Sequence, residues 1–94
     1  MTTNKTTIVA PLIHMNGTSA ANLTDDLETA YSAIRAAIEA LKQGAPNQRD
    51  YYPLPPDRWE AARAQHYRRL QTLTDLQDEL IAQCEMIHDQ ARKD

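Results

Sequence analysis

Between Pro46 and Pro56 the chain reads Pro-Asn-Gln-Arg-Asp-Tyr-Tyr-Pro-Leu-Pro-Pro, and this stretch limits the fold more than any other. Four of the five prolines lie in it. Each fixes φ and removes a backbone donor, so neither a helix nor a central strand can run through. Apolar residues at helical spacing flank it on both sides. The predicted fold is all-α: a long antiparallel helical hairpin (residues 19–94) with its elbow at 44–56, preceded by an extended N-terminal arm (residues 1–18).

Helix 1 is expected from about 19 to 43, along a seam of Leu23, Leu27, Ala30, Ile34, Ala37 and Leu41, flanked by Tyr31 and Ile38. From Leu27 the spacing alternates three and four, as in a heptad. Alanines at 30, 33, 36, 37 and 40 permit close helix approach. Gly44 suits the position after the helix, and Pro46 prevents continuation. Helix 2 is expected from Pro56 to about Ala91, with Pro56 and Asp57 in its first turn. Its stripe is Trp59, Ala62, His66, Leu70, Leu73, Leu76 or Gln77, Leu80, Cys84 and Ile87. At about 1.5 Å per residue this helix measures about 54 Å against about 37 Å for helix 1. The unmatched length asks for a partner, most simply another copy. A chain of 94 residues also buries little on its own. A homo-oligomeric helical bundle is therefore expected.

Residues 1–7 are Thr- and Asn-rich and are expected to fray. Ile8–Met15 is apolar, but Pro11 blocks a regular central strand, which suggests an arm packed on a neighbouring helix or subunit. Asn16-Gly17 signals a turn, with Thr18 or Ser19 as helix cap and Asn22 or Thr24 as second candidates. The net charge of −3 argues against duplex nucleic acid. The single cysteine, Cys84, points to a reducing compartment. No apolar run suits a membrane span, and the start lacks a secretory h-region. The expected location is the cytoplasm.

Charge is segregated along helix 2. Arg58, Arg63, Arg68 and Arg69 precede Asp75, Asp78, Glu79, Glu85 and Asp89, against the macrodipole preference. Antiparallel copies that pair basic with acidic halves would explain this, as would an anion site near the elbow. In Arg49-Asp50-Tyr51-Tyr52, an arginine held by its neighbour presents a fork to phosphate, and tyrosine faces stack a base. Alternatively the tyrosines plug the hairpin end while Arg49 caps helix 1. His66 on the apolar stripe is either a satisfied core group or a ligand contact. His14, Asn16, Gly17 and Thr18 form either a backbone anion cradle or a turn plus cap. In one hairpin this arm motif and the elbow lie at opposite ends, so a site using both would be intersubunit. There is no phosphate loop, dinucleotide fingerprint, zinc spacing or nucleophile–base–acid set. The chain reads as non-enzymatic, with no cofactor and no metal.

His-Met-Asn-Gly-Thr-Ser, Pro-Asn-Gln-Arg-Asp-Tyr-Tyr-Pro and Ala-Gln-His-Tyr-Arg-Arg together resemble a family of small helical proteins encoded by phages and prophages. The resemblance covers about residues 12–90. The family's usual form is similar to His-Leu-Asn-Gly-Thr-Ser and Arg-Asp-Tyr-Tyr-Pro-Gln-Gly. Here Met15 and Leu54-Pro55 depart from it, and a glycine is lost from the elbow. In size and style the chain is similar to oligomeric phage sponges for nucleotide immune signals. By that analogy it would sequester a small anionic ligand, a linear or cyclic nucleotide, to counter host defence. Arg49, Arg58 and Arg69 would hold phosphate. Asp50 would orient Arg49, Tyr51 and Tyr52 would stack or bond to base and ribose, and His66 would fix a polar group. His14, Asn16, Gly17 and Thr18 would come from another subunit. The alternative is a protein-interaction module that inhibits or bridges a host or phage protein.

Overall fold

The computed structural model describes residues 7–92. The fraying expected over 1–7 therefore lies, Thr7 apart, outside the described residues, as do residues 93 and 94. Helix α1 spans Ala20–Gln43, a 3₁₀ turn spans Gln48–Asp50, and helix α2 spans Pro56–Arg92. No strand occurs among the described residues. No helix among them is long and apolar enough to cross a membrane. The fold is an all-α helical hairpin, and it divides into two compact units. An arm unit comprises residues 1–32 with 78–94, and an elbow unit comprises Ala33–Gln77.

In the arm unit, Ser19 caps α1. Its Oγ accepts from the Asn22 N–H at 3.1 Å, three residues on. Thr24, the other candidate cap, is instead buried inside the helix. Its hydroxyl donates to the carbonyls of Ala20 and Ala21, at 3.0 and 3.2 Å, which removes the cost of burying it. Ile87 of α2 is fully enclosed. The arm lies on its own α2. The Gln90 carboxamide donates from Nε2 to Pro11 O at 2.7 Å and accepts at Oε1 from Ile13 N–H at 2.9 Å. One side chain thus satisfies two backbone groups that have no ladder to join. Ile8 and Ile13 are half-buried, while Val9, Leu12 and Met15 remain 81%, 75% and 96% exposed.

In the elbow unit the chain reverses between α1 and α2. The inward face of its α1 segment carries Ile34, Ile38 and Leu41, with Ile38 buried. Upstream, in the arm unit, Leu23, Leu27 and Tyr31 are half-buried. The seam therefore runs through Tyr31 and Ile38, and Ala30 and Ala37 are exposed. Both choices fit a three–four alternation. Burying the larger side chain removes more apolar area from water, so Tyr31 and Ile38 win. The alanines at 33, 36 and 40 also face solvent. On α2 the outcome is the reverse: Gln77 lies inward and Leu76 is 42% exposed, a choice that apolar burial within this chain does not explain.

Gly44 ends α1 without a left-handed turn, since no described glycine has positive φ. Its N–H is shared between the carbonyls of Ala40 and Leu41, each at 3.1 Å, and Pro46 stops the helix. A Cβ there would meet nothing closer than Leu41 O at 3.7 Å. At Gly17 a Cβ would strike His14 Nε2 at 2.8 Å. Gly44→Ala is accordingly expected to stabilise the chain by about 0.4–1 kcal/mol. Gly17→Ala should displace the His14 ring without that gain. Urea unfolding of the two variants, with the His14 ring resonances followed by NMR, checks both.

Candidate functional site

The elbow supplies its own backbone partners. Asn47 Oδ1 accepts from Arg49 N–H at 3.0 Å, and Asn47 O accepts from Asp50 N–H at 3.0 Å. Gln48 O accepts from Tyr51 and Tyr52 N–H at 2.9 and 3.0 Å, and Tyr51 O from Leu54 N–H at 2.9 Å. Pro53, Pro55 and Pro56 have no donor to place. Every N–H from Arg49 to Leu54 is thus satisfied locally, so the loop can present side chains without collapsing onto a helix.

Those side chains form an aromatic cleft. Tyr51 packs on Trp59 with ring centroids 5.8 Å apart and planes tilted by 46°. Such a tilted pair adds about 0.5–1.5 kcal/mol beyond the area it buries. Tyr52 remains 77% exposed. A hollow of about 390 Å³ opens among Gln48, Tyr51, Tyr52, Asp57, Trp59 and Glu60. The two acids are engaged by the next basic residues on α2. Asp57 Oδ2 meets Arg58 Nη2 at 3.4 Å, and Glu60 Oε1 meets Arg63 Nη1 at 3.5 Å. Both pairs are exposed and contribute little to stability.

Trp59 also walls a second hollow of about 230 Å³ with Pro46, Arg63, His66 and Tyr67. Arg63 sits 5.9 Å from the Trp59 ring centroid, a cation–π contact. His66 is buried, its ring 6.0 Å from Tyr67, and it makes no hydrogen bond among the described residues. A third hollow of about 350 Å³ has an apolar floor of Leu41 and Leu73, with Arg68, Arg69 and Thr72 around it. No ion pair engages Arg68 or Arg69 among the described residues.

The sequence-predicted site residues are distributed as follows. The elbow unit holds Arg49, Asp50, Tyr51, Tyr52, Arg58, His66 and Arg69, and the arm unit holds His14, Asn16, Gly17 and Thr18. The tyrosines line the cleft, His66 the second hollow and Arg69 the third. Arg49, Asp50 and Arg58 line none of these. The expected Arg49–Asp50 pair does not form among the described residues: Asp50 belongs to the 3₁₀ turn through its N–H, and Arg49 is exposed. In the arm unit, Gly17 N–H donates to His14 O at 3.1 Å, which makes this motif a closed turn followed by the Ser19 cap.

Sequence reasoning did not place Trp59, Asp57 or Glu60 at the site, and it named Arg63 only within the basic run near the elbow. The signal was present, because Pro56, Trp59, Glu60 and Arg63 recur at three- and four-residue spacing on the helix face that starts at the elbow. Among the described residues, no three His, Cys, Asp or Glu side chains gather as a metal site. Burial, with the Glu28 carboxylate second, pushes the Cys84 thiol above its ordinary range and keeps it protonated near neutral pH. Comparison with protein-family models, with curated proteins and with solved structures finds no match to this chain.

Proposed function

We propose that this protein is a self-associating binding protein that holds a small phosphorylated ligand, a linear or cyclic nucleotide, without transforming it. The observation that carries the reading is Tyr52, a ring 77% exposed on a loop whose N–H groups from Arg49 to Leu54 are all paired and which is braced by proline. An ordered aromatic face left in water beside a cleft of about 390 Å³ is a stacking platform. Phosphate attraction is available in the same unit. It carries seven Lys and Arg against five Asp and Glu, a net +2. Arg49, Arg68 and Arg69 there are without an ion pair among the described residues. Sequestration of a nucleotide immune signal is the role that the phage-family resemblance suggests for such a site.

Self-association rests on two further observations. Apart from Ile38 and Ile87, no apolar side chain among the described residues is buried. The arm unit carries three Lys and Arg against eight Asp and Glu, a net −5, so the two units have opposite charge. A second copy running antiparallel would set the basic unit of one against the acidic unit of the other. It would also bring the His14–Thr18 motif toward a partner's elbow.

Isothermal titration of the full chain with linear and cyclic nucleotides tests the reading. Binding on the order of tens of micromolar or tighter is expected, weakened about tenfold or more by Tyr52→Ala. No heat from any member would end it. The outward Val9, Leu12 and Met15 of the arm favour a second reading, a protein-interaction module, which predicts that outcome.

A further inference from the structure

The chemistry around the elbow cleft narrows the ligand, on the assumption that the nucleotide reading holds. The charged side chains that line the cleft are both acids, Asp57 and Glu60, and its neutral polar groups are the Gln48 carboxamide, the two tyrosine hydroxyls and the Trp59 indole N–H. No lysine or arginine lines this cleft. Each carboxylate uses one oxygen on its neighbouring arginine. The other oxygens, Asp57 Oδ1 and Glu60 Oε2, are engaged in no hydrogen bond or ion pair among the described residues. An ionised carboxylate can only accept. The cleft therefore suits a planar ring whose edge carries adjacent donors.

Guanine presents that edge. Its N1–H and N2–H₂ lie side by side and match the two oxygens of one carboxylate or one oxygen from each of two. Adenine and cytosine offer one amino group beside a ring acceptor, and uracil offers one N–H between two carbonyls. Against a carboxylate, each of these leaves an acceptor facing an acceptor. A cationic ligand fits less well. Arg58 and Arg63 already offset both carboxylates, and Arg63 already occupies a face of Trp59. What remains is a demand for donors on a flat, neutral ring.

We infer that the elbow cleft selects guanine, stacked among Tyr51, Tyr52 and Trp59 and read along its donor edge by Asp57 and Glu60. Bound base excludes water from the rim, and charge-assisted hydrogen bonds that are weak in water gain strength there. Phosphates would lie outside the cleft, toward the arginines of the elbow unit.

The test is isothermal titration of the full chain with GMP, IMP, AMP, UMP and CMP, and with cyclic di-GMP and cyclic di-AMP. The expected result is a preference of about tenfold or more for each guanine ligand over its adenine counterpart. IMP lacks only the 2-amino group and should fall between GMP and AMP. Asp57→Asn and Glu60→Gln exchange exposed groups and should leave the helical circular dichroism unchanged. At least one should erase the guanine preference while leaving AMP affinity in place. The GMP–IMP comparison needs no variant. Equal affinity for all bases would overturn the guanine assignment and leave nucleotide binding standing. No nucleotide binding at all would overturn both, and binding of agmatine alone would mark the cleft as a cation site.

Discussion

Ile87→Ala is expected to loosen the arm unit by about 2–5 kcal/mol, the range for truncating an enclosed isoleucine. Ile87 is 0% exposed, and no other apolar side chain described in that unit is buried. A small domain has only about 5–15 kcal/mol in total, so this change alone can melt the unit. Ile38→Ala should do the same to the elbow unit, less severely because Ile38 is 8% exposed. Amide hydrogen exchange reads the difference. Ile87→Ala should strip protection from residues 20–32 and 78–92 before 33–77, and Ile38→Ala should reverse that order. If both variants lowered protection uniformly along the chain, the two units would be one cooperative block and the division would be wrong.

The second large effect concerns the proposed pairing of copies. Arg68→Glu/Arg69→Glu is expected to weaken self-association by about 100-fold or more, since like charges set face to face cost several kcal/mol. Asp78→Lys/Glu85→Lys should do the same from the acidic side. An equimolar mixture of the two variants should associate more strongly than either alone, because the reversed charges at 68 and 69 of one meet the reversed charges at 78 and 85 of the other. Analytical ultracentrifugation at low salt is the measurement. Association of the native chain should fall as salt shortens the Debye length from about 30 Å at 0.01 M to about 3 Å at 1 M. Variants that associate normally, or a mixture that stays apart, would rule out antiparallel charge pairing.

The helices were legible from the sequence because their signals are local. Prolines bound the elbow, hydroxyl residues offer the cap, and a three–four alternation marks each helix. What periodicity could not decide is which of two adjacent residues faces inward. Ala30 or Tyr31, Ala37 or Ile38, and Leu76 or Gln77 all satisfy the spacing, and apolar burial against the opposing helix separates only the first two pairs. Gly44 does follow the last residue of α1, but without a left-handed φ. Glycine after a helix favours a left-handed exit, but Pro46 already stops this one. At the site, Tyr51 and Tyr52 could be singled out because they sit in the loop. Trp59 and Glu60 share the helix face that starts at the elbow, but that spacing reads equally well as an ordinary stripe, and only the packing of Tyr51 on Trp59 marks it as the wall of a cleft. Arg49 and Asp50 lie side by side in the 3₁₀ turn, both exposed, and no ion pair joins them among the described residues.

The Gln90 clamp carries one more consequence. It grips an oxygen and a hydrogen that belong to residues two apart, which in extended backbone point to the same side. Adding or deleting one residue between Pro11 and the Asn16-Gly17 turn would bring the wrong edge of the chain to the amide, and would swap the inward Ile13 with the outward Leu12. The stretch without regular structure is thus the one least free to change its length.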